Sequence, residues 1–219
     1  RRDNFKEINF YSSSVRRQIR AGLRRNKIKL INNKISHLLF KEMFKFILAV
    51  FRRYDQKGNK YLRFSENNLN SLIWESDFIF IAESSKDKQI SGIIFLKKIK
   101  DGLFMSEAFF SKNGLRNYVS YSLFYSVISF SKEQKNIKYI TNGTVNLEHI
   151  TEVHDFLIRN FEFKKVFVDL HIRISLLLLL LFFLIKYLPF LRFNKYINLK
   201  YKAMYKLFSY KKSIKVKLI

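Results

Sequence analysis

Arginines recur along one face of the helix that the sequence predicts over residues 12–25. Arg16, Arg20 and Arg24 are four positions apart, so they form a single stripe on that helix. A guanidinium binds carboxylate or phosphate oxygens through two parallel N–H groups. The stripe therefore predicts a substrate-binding surface for an anionic acceptor or a phosphorylated donor. A solvated helix face is the alternative interpretation.

A second candidate site lies between a strand predicted over 103–110 and a helix predicted over 118–132. The connecting loop consists of seven residues: Ser111, Lys112, Asn113, Gly114, Leu115, Arg116 and Asn117. The first N–H groups of a helix have no partner within it and carry partial positive charge, which suits a pyrophosphate. Lys112 and Arg116 would add charge. An ordinary solvated connection is the alternative.

The residue types exclude several classes of protein. The chain has no Cys, which excludes a disulfide scaffold, a thiolate metal site and a cysteine nucleophile. It has 4 His and no H-x-H or H-x-x-x-H pair, so no metal site is expected. No segment resembles a P-loop, a Rossmann fingerprint or a Ser–His–Asp order.

The net charge of +25 is unevenly distributed along the 219 residues. Residues 1–60 contain 17 basic and 4 acidic residues, and residues 61–170 contain 14 and 13. Residues 171–219 contain 11 basic residues and no acidic one. A near-neutral middle with two basic flanks indicates an anionic partner: a lipid surface, nucleic acid or a phosphate-bearing cofactor.

Hydrophobic periodicity predicts the elements that would position these residues. Helices are expected over 12–25, 36–54, a short stretch after Ser65, 118–132 and 148–160. Strands are expected over 27–31, 78–83, 90–98, 103–110, 137–141 and 164–172. Asp101-Gly102 is a hairpin signal, so the middle strands form an antiparallel meander. Strand, helix and strand then form a parallel crossover, which indicates an α/β or α+β fold with a mixed sheet.

This order of elements resembles the GNAT acyltransferase superfamily, and most of all its FemAB-like bacterial branch. The resemblance covers about residues 5–172. It is carried by 14–25, by 80–83 with 90–94, by Leu123, by 139–143 and by 156–165. The superfamily's phosphate loop usually has two small residues. Here only Gly114 is present, and Arg116 or Asn117 takes the second place.

The resemblance implies an N-acyltransferase of envelope or polysaccharide biosynthesis without a metal. The donor would be acyl-CoA, such as acetyl-CoA, or an aminoacyl-tRNA, and the acceptor an amine of a sugar or peptide. An amine nucleophile needs a base, and Glu107 beside the loop is the candidate, with His149 or His154 as substitutes. Asn142, at the end of a strand, would hydrogen-bond the substrate or cofactor. The alternative for Glu107 is an ordinary surface residue of a strand, and the alternative for Asn142 is a turn residue.

The alternative function is a catalytically inactive basic module that binds anionic lipid or nucleic acid. The near-neutral middle argues against a dedicated nucleic-acid binder, whose basic and aromatic residues would alternate across the main sheet.

Residues 1–172 are predicted to form the GNAT-like domain and 173–219 an apolar helix with a basic tail. The chain begins with Arg, and FemAB-like proteins often pair two such folds. We therefore expect a second GNAT-like half upstream.

The apolar run from Ile174 to Ile185 is shorter than the roughly 20 residues that span a bilayer. A packed helix, an interfacial helix and a marginal span remain open. Tyrosines and lysines follow the run, which is typical of a headgroup environment. We expect a cytoplasmic protein held at the inner face of the membrane, where a lipid-linked acceptor would be presented.

Liposome flotation tests this membrane attachment. Binding should require anionic lipid and fall with added salt, because each nearby cation contributes about 1 kcal/mol against an anionic leaflet. It should disappear when residues 174–219 are deleted. Two outcomes would contradict the expectation: a truncated chain that still floats, or a full-length chain that stays in solution with every lipid tested.

Overall fold

The predicted meander forms the centre of a five-stranded sheet in the computed structural model. The strands lie across it in chain order: β1 (Asn26–Ile31), β2 (Phe78–Ser84), β3 (Ile90–Ile99), β4 (Gly102–Phe110) and β5 (Tyr139–Thr141). β1, β2, β3 and β4 pair with one another in antiparallel orientation, and β5 pairs with β4 in parallel. The predicted α/β class is confirmed, because the sheet is mixed and contains the antiparallel meander and a parallel strand–helix–strand unit.

The structure describes residues 8–31, 35–55, 64–142, 153–164, 170–174, 187 and 214–218. The chain divides into two units, Arg1–Gly143 and Thr144–Ile219. The first unit contains the sheet and five helices of the described residues: α1 (Ser13–Arg25), α2 (His37–Asp55), α3 (Glu66–Glu75), α4 (Lys112–Arg116) and α5 (Val119–Glu133). The predicted helices and strands of this unit agree with these bounds to within about two residues.

One face of the sheet packs against α2 and α3. The residues of this core are Met43, Ile47, Val50, Leu69, Ile79, Ile81, Ile93, Phe95 and Phe109. Each fully buried side chain of this size contributes about 1.5–3 kcal/mol to folding. The alternation of strand side chains places the remaining apolar residues on the opposite face.

The opposite face packs against α5. The ring of Phe130 lies 4.9 Å from that of Phe78 and 5.5 Å from that of Phe80, and Phe124 contacts Phe110 at 5.8 Å. Both faces of β2 and β3 are therefore covered. This explains why their sequences are nearly continuous apolar runs rather than alternating ones.

α1 lies against α5 through small residues. Val15, Ile19 and Gly22 are its buried positions. The spacing of apolar residues in the sequence predicts Val15, Ile19 and Leu23 as the buried stripe, and this is wrong for Leu23, which is 38% exposed. A Cβ at Gly22 would lie 2.5 Å from the carbonyl oxygen of Tyr118 and 3.0 Å from the Cβ of Ser122. Glycine at this position therefore allows the two helices to approach closely.

A buried amide connects α1 to the rest of the unit. Asn26, which follows α1 directly, is 2% exposed. Its Nδ2 donates to the carbonyl oxygen of Gly22 at 2.9 Å and to that of Asn117 at 3.1 Å. The hydroxyl of Ser91 lies 2.9 Å from its Oδ1 and 3.1 Å from the Ala82 carbonyl oxygen. One side chain thus links α1, β1, β3 and the segment before α5.

The second unit contains α6 (Val153–Phe161), β6 (Leu170–Ile174) and β7 (Ile214–Leu218). α6 buries Leu157 and Phe161 and covers the later part of the helix predicted over 148–160. β6 and β7 pair in parallel in a second, two-stranded sheet. β7 lies within the segment predicted as a basic tail, where no strand was expected. Most of the predicted apolar helix falls outside the described residues.

The substitution Asn26→Ala should destabilise the protein by about 2–4 kcal/mol, because a buried carbonyl loses its donor and a small cavity forms. Urea unfolding followed by circular dichroism measures the change. Lys27→Ala, at the exposed neighbouring position, should stay within about 0.5 kcal/mol of the parent. Equal losses for the two variants would show that the Asn26 amide does not have this structural role.

Candidate functional site

β4 and β5 separate after three residues of pairing. Gly102, Leu103 and Phe104 pair with Tyr139, Ile140 and Thr141. β4 then continues to Phe110, and no strand among the described residues pairs with this edge beyond Phe104. Unpaired backbone groups of a strand edge can bind an extended ligand that contains amides. The open edge is residues 105–110 of β4.

A β-bulge lies at the beginning of the open edge. Phe95 pairs with Glu107 and Leu96 pairs with Met105, so Ser106 has no partner residue on β3. Its hydroxyl instead donates to the carbonyl oxygen of Phe95 at 3.2 Å. A bulge leaves the extra residue outside the ladder and bends the strand, and bulges are frequent beside active sites.

Glu107 lies directly after this bulge. It pairs with Phe95 and is two residues from Phe109, so its side chain shares their face of the sheet. Phe109 is also in contact with the ring of Phe51, at 5.7 Å. Glu107 is exposed as a whole residue, yet desolvation by its surroundings raises the pKa of the carboxyl above its ordinary value. A raised pKa suits a general base that must exchange protons near neutral pH.

The segment 111–117 is largely helical, which corrects the prediction of a loop. Ser111 caps the short helix α4 by accepting a hydrogen bond from the Gly114 N–H at 2.9 Å. Lys112 and Arg116 are exposed, as are Asn113 and Leu115. The two cations therefore remain accessible to an anionic ligand.

Gly114 has a packing role that the sequence did not predict. It is buried, and a Cβ at this position would overlap the carbonyl oxygen of Ser91 on β3. The absence of a side chain therefore allows α4 to contact the sheet. A bulky substitution here would disturb the fold as well as any ligand, so Gly114 is a poor probe of binding.

The N-terminus of α5 has no side-chain cap. Tyr118 occupies the N-cap position in the left-handed conformation with φ of 58°, and its side chain makes no capping hydrogen bond. The first turn contains no acidic residue. The 15-residue helix thus keeps its positive dipole end without a neutralising group from its own first turn. A phosphate is the type of ligand that such an end binds.

Asn142 follows β5 directly and is half-buried. It comes one residue after Thr141, the partner of Phe104, so it lies where β4 and β5 begin to separate. Glu107 lies about 10 Å further along β4, at the rise of about 3.3 Å per strand residue. The structure thus places Asn142, Glu107 and segment 111–117 along the same half of β4.

The arginine stripe lies elsewhere in the first unit. Arg16, Arg20 and Arg24 are brought together with Arg17 in a cleft of about 670 Å³ on the surface of α1. None of the residues that line this cleft belongs to β4 or to segment 111–117. The three predicted substrate-binding arginines are therefore neighbours of one another but line a separate surface from the open edge.

Sequence reasoning missed Asn26, Ser91 and Ser106. An asparagine after a helix is common, so Asn26 gives no signal of a buried network. Ser91 is a polar residue in a run of buried strand residues, which was the available clue. The strand residues around Ser106 include both polar and apolar ones, so their alternation in the sequence does not reveal the bulge.

The two alternative bases lie outside the described part of the first unit. His149 lies outside them, and His154 lies on α6 in the second unit. Within the described ranges, no group of three or more His, Cys, Asp or Glu side chains could hold a metal ion. No helix in the described part of the chain is long and apolar enough to cross a membrane.

No protein-family model and no curated protein matches the chain. Among solved structures, L-PGS from Bacillus licheniformis aligns over 60% of the chain with a TM-score of 0.46 and 13% identity. The chain spans about two fifths of that protein, 41% of its length. An aminoglycoside acetyltransferase from an uncultured soil metagenomic sample aligns over 67% of the chain and 95% of its own length, with a TM-score of 0.47 and 14% identity.

A GNAT-family acetyltransferase from Staphylococcus aureus aligns over 54% of the chain and 75% of its own length. Its TM-score is 0.42 and its identity 19%. The fold assignment depends on the strand order and pairing of the chain itself.

The substitution Glu107→Gln should not destabilise the protein at pH 7. The raised pKa of Glu107 means that the folded state binds a proton more tightly than the unfolded state does. The stability that this proton contributes is present at low pH and is lost as the pH rises through the raised pKa. The neutral amide avoids this loss. In urea unfolding, the variant should therefore be at least as stable as the parent at pH 7, and any advantage should vanish below pH 4.5, the ordinary pKa.

Glu42→Gln, at an exposed position of α2, is the control and should change stability by less than about 0.5 kcal/mol at either pH. If Glu107→Gln were less stable than the parent by the same amount at both pH values, the carboxylate would have a structural role instead.

Proposed function

We propose that the chain is an N-acyltransferase that uses acyl-CoA, such as acetyl-CoA, and acylates an amine of a sugar or peptide in envelope or polysaccharide biosynthesis. The observation that carries this proposal is the open edge of β4, residues 105–110, which ends at the uncapped N-terminus of α5. An extended chain of amides joined to a pyrophosphate matches such an edge followed by such a helix end.

Each part of this site would have one task. Backbone N–H groups of the first turn of α5 would bind the pyrophosphate, and Lys112 and Arg116 would add charge. The unpaired backbone at the bulge, around Ser106, would donate a hydrogen bond to the carbonyl oxygen of the acyl group. Asn142 would hydrogen-bond the ligand where the two strands separate.

Acyl-CoA supplies an activated thioester. Glu107 would accept the proton that the amine loses when its nitrogen bonds to the acyl carbon, directly or through one water. The C–S bond of the thioester then breaks, and coenzyme A leaves as a thiolate that takes up a proton from solvent. The raised pKa of its carboxyl supports this role, because a stronger base takes the amine proton more readily. The exposed position of Glu107 leaves room for an acceptor on this face of the sheet.

An acyl-CoA donor fits the described residues better than an aminoacyl-tRNA does. The open edge is six residues long, which is about 20 Å at the usual strand rise. Such an edge suits one narrow ligand. Lys112 and Arg116, in the described segment that follows this edge, are exposed cations, whereas a folded RNA requires a broad basic surface.

Thermal unfolding with and without acetyl-CoA tests the proposal. A ligand at 100 times its dissociation constant contributes about 2.7 kcal/mol, which raises the Tm by roughly 5–10 °C for a chain of this size. Lys112→Ala combined with Arg116→Ala should weaken acetyl-CoA binding by about tenfold or more, because charge-assisted hydrogen bonds are lost. The matched control removes two exposed lysines, Lys86 and Lys135.

The same experiment separates binding from transfer. Glu107→Gln should still be protected by acetyl-CoA, while acetylation of glucosamine as a probe amine should fall by about 10²–10⁴-fold. No effect of acetyl-CoA on unfolding, together with salt-sensitive binding to any polyanion, would contradict the enzyme and favour the basic binding module.

A further inference from the structure

The use of arginine in α1 differs from that in the rest of the chain. The whole chain has 28 lysines and 14 arginines, whereas α1 has five arginines and no lysine. For a general attraction to polyanions, lysine would be as suitable as arginine. Arginine differs because its planar guanidinium binds two oxygens of one phosphate or carboxylate at the same time. The composition of α1 therefore indicates a specific oxyanion.

Four of these arginines surround a concave surface. Arg16, Arg17, Arg20 and Arg24 line the cleft of about 670 Å³ together with Ser13. None of the residues lining the cleft is acidic, and the ion pairs described for the chain involve lysines at other places. The positive charge in the cleft is thus not neutralised by carboxylates of the described residues.

The cleft also has an apolar wall. Ile8 and Leu23 line it, and Leu23 exposes 38% of its surface. The same two residues line a second cleft of about 290 Å³ that follows α5 past Tyr125 and Phe130. The two clefts therefore form one groove between α1 and α5, cationic on one side and largely apolar on the other. Glu133 lines the second cleft and is the one acidic residue among the described residues that line the groove.

One polar atom in the apolar part of the groove has no partner. The hydroxyl oxygen of Ser129, which lines the second cleft, is buried and makes no hydrogen bond to the chain. Leaving a buried hydroxyl unpaired is unfavourable, because the group has lost its hydrogen bonds to water. A ligand that carries an ester or hydroxyl oxygen beyond its phosphate could pair with it.

We propose that the groove between α1 and α5 binds an anionic phospholipid. Its phosphate would lie among Arg16, Arg20 and Arg24, and the glycerol with the first acyl carbons would lie against Ile8 and Leu23. An RNA strand fits less well, because single strands are bound on exposed aromatic side chains. The wall beside these arginines is aliphatic. No residue of the groove belongs to the acyl-CoA site, so the inference does not depend on the proposed transfer.

Titration calorimetry with dihexanoylphosphatidylglycerol, below its micelle concentration, tests the groove on the full chain. A monomeric lipid excludes insertion of any segment into a bilayer. Binding should be tighter than that of glycerol 3-phosphate by about tenfold or more, because the acyl CH₂ groups leave water and pack on the apolar wall. The double variant Arg20→Lys with Arg24→Lys keeps the charge but loses the bidentate geometry. It should weaken lipid binding by about tenfold or more.

Two further variants complete the test. Leu23→Ser should weaken binding of the lipid but not of glycerol 3-phosphate, since only the lipid contacts the apolar wall. Lys86→Gln with Lys135→Gln removes two exposed charges outside the groove and should leave lipid affinity unchanged. Urea unfolding confirms that each variant is folded. The inference is overturned if the Arg→Lys variant binds like the parent, if single-stranded RNA displaces the lipid at lower concentration, or if no lipid binds.

Discussion

The side-chain amide of Asn26 is the interaction on which the arrangement of the first unit depends. Asn26 is 2% exposed, and a polar group that is this buried needs partners for its hydrogen bonds. Its amide nitrogen donates to the carbonyl oxygens of Gly22 and Asn117, which are 95 residues apart in the chain. Its oxygen faces the Ser91 hydroxyl. The end of α1, the middle strand and the start of α5 are therefore held at one point.

This point determines where the candidate site can lie. Gly22 allows α1 to reach Tyr118, and Gly114 allows α4 to reach Ser91, so both contacts lie next to the amide. The uncapped end of α5 is thereby held beside the last residues of β4. Because β5 pairs with β4 over three residues only, the strand edge that leads to this helix end stays open. A rigid junction next to an open edge is a suitable setting for a ligand that must be held in one orientation.

The parts of the fold that could be predicted from the sequence are those with a regular period. Val15 and Ile19 marked α1, and Asp101-Gly102 marked the hairpin of the meander. The short helix α4 was not predicted, because five residues that include Asn113 and Gly114 have low helix propensity and depend on the Ser111 cap. The bulge at Ser106 depends on pairing with β3 and not on local pattern. For β7, Ile214, Val216 and Leu218 alternate with Lys215 and Lys217, a period-2 signal hidden within the basic tail.

Some residues of the candidate site could also be identified from the regular pattern of the elements beside them. Glu107 and segment 111–117 were identified because they flank the end of a predicted strand, and the structure places them along the same half of β4. The arginine stripe was identified by its spacing, but spacing along a helix does not show which surface the helix faces. In the structure that surface is the groove with α5, which separates the arginines from the open edge.

Amide hydrogen exchange with and without acetyl-CoA, followed residue by residue, tests the central claim most directly. The account predicts slower exchange with acetyl-CoA at the amides of residues 105–110 that face away from β3, and in residues 119–121, where helix N–H groups would bind phosphate. Exchange in α2 and α3 should stay unchanged. Protection confined to α1, or no protection anywhere, would contradict the claim that the edge of β4 and the N-terminus of α5 form the donor site.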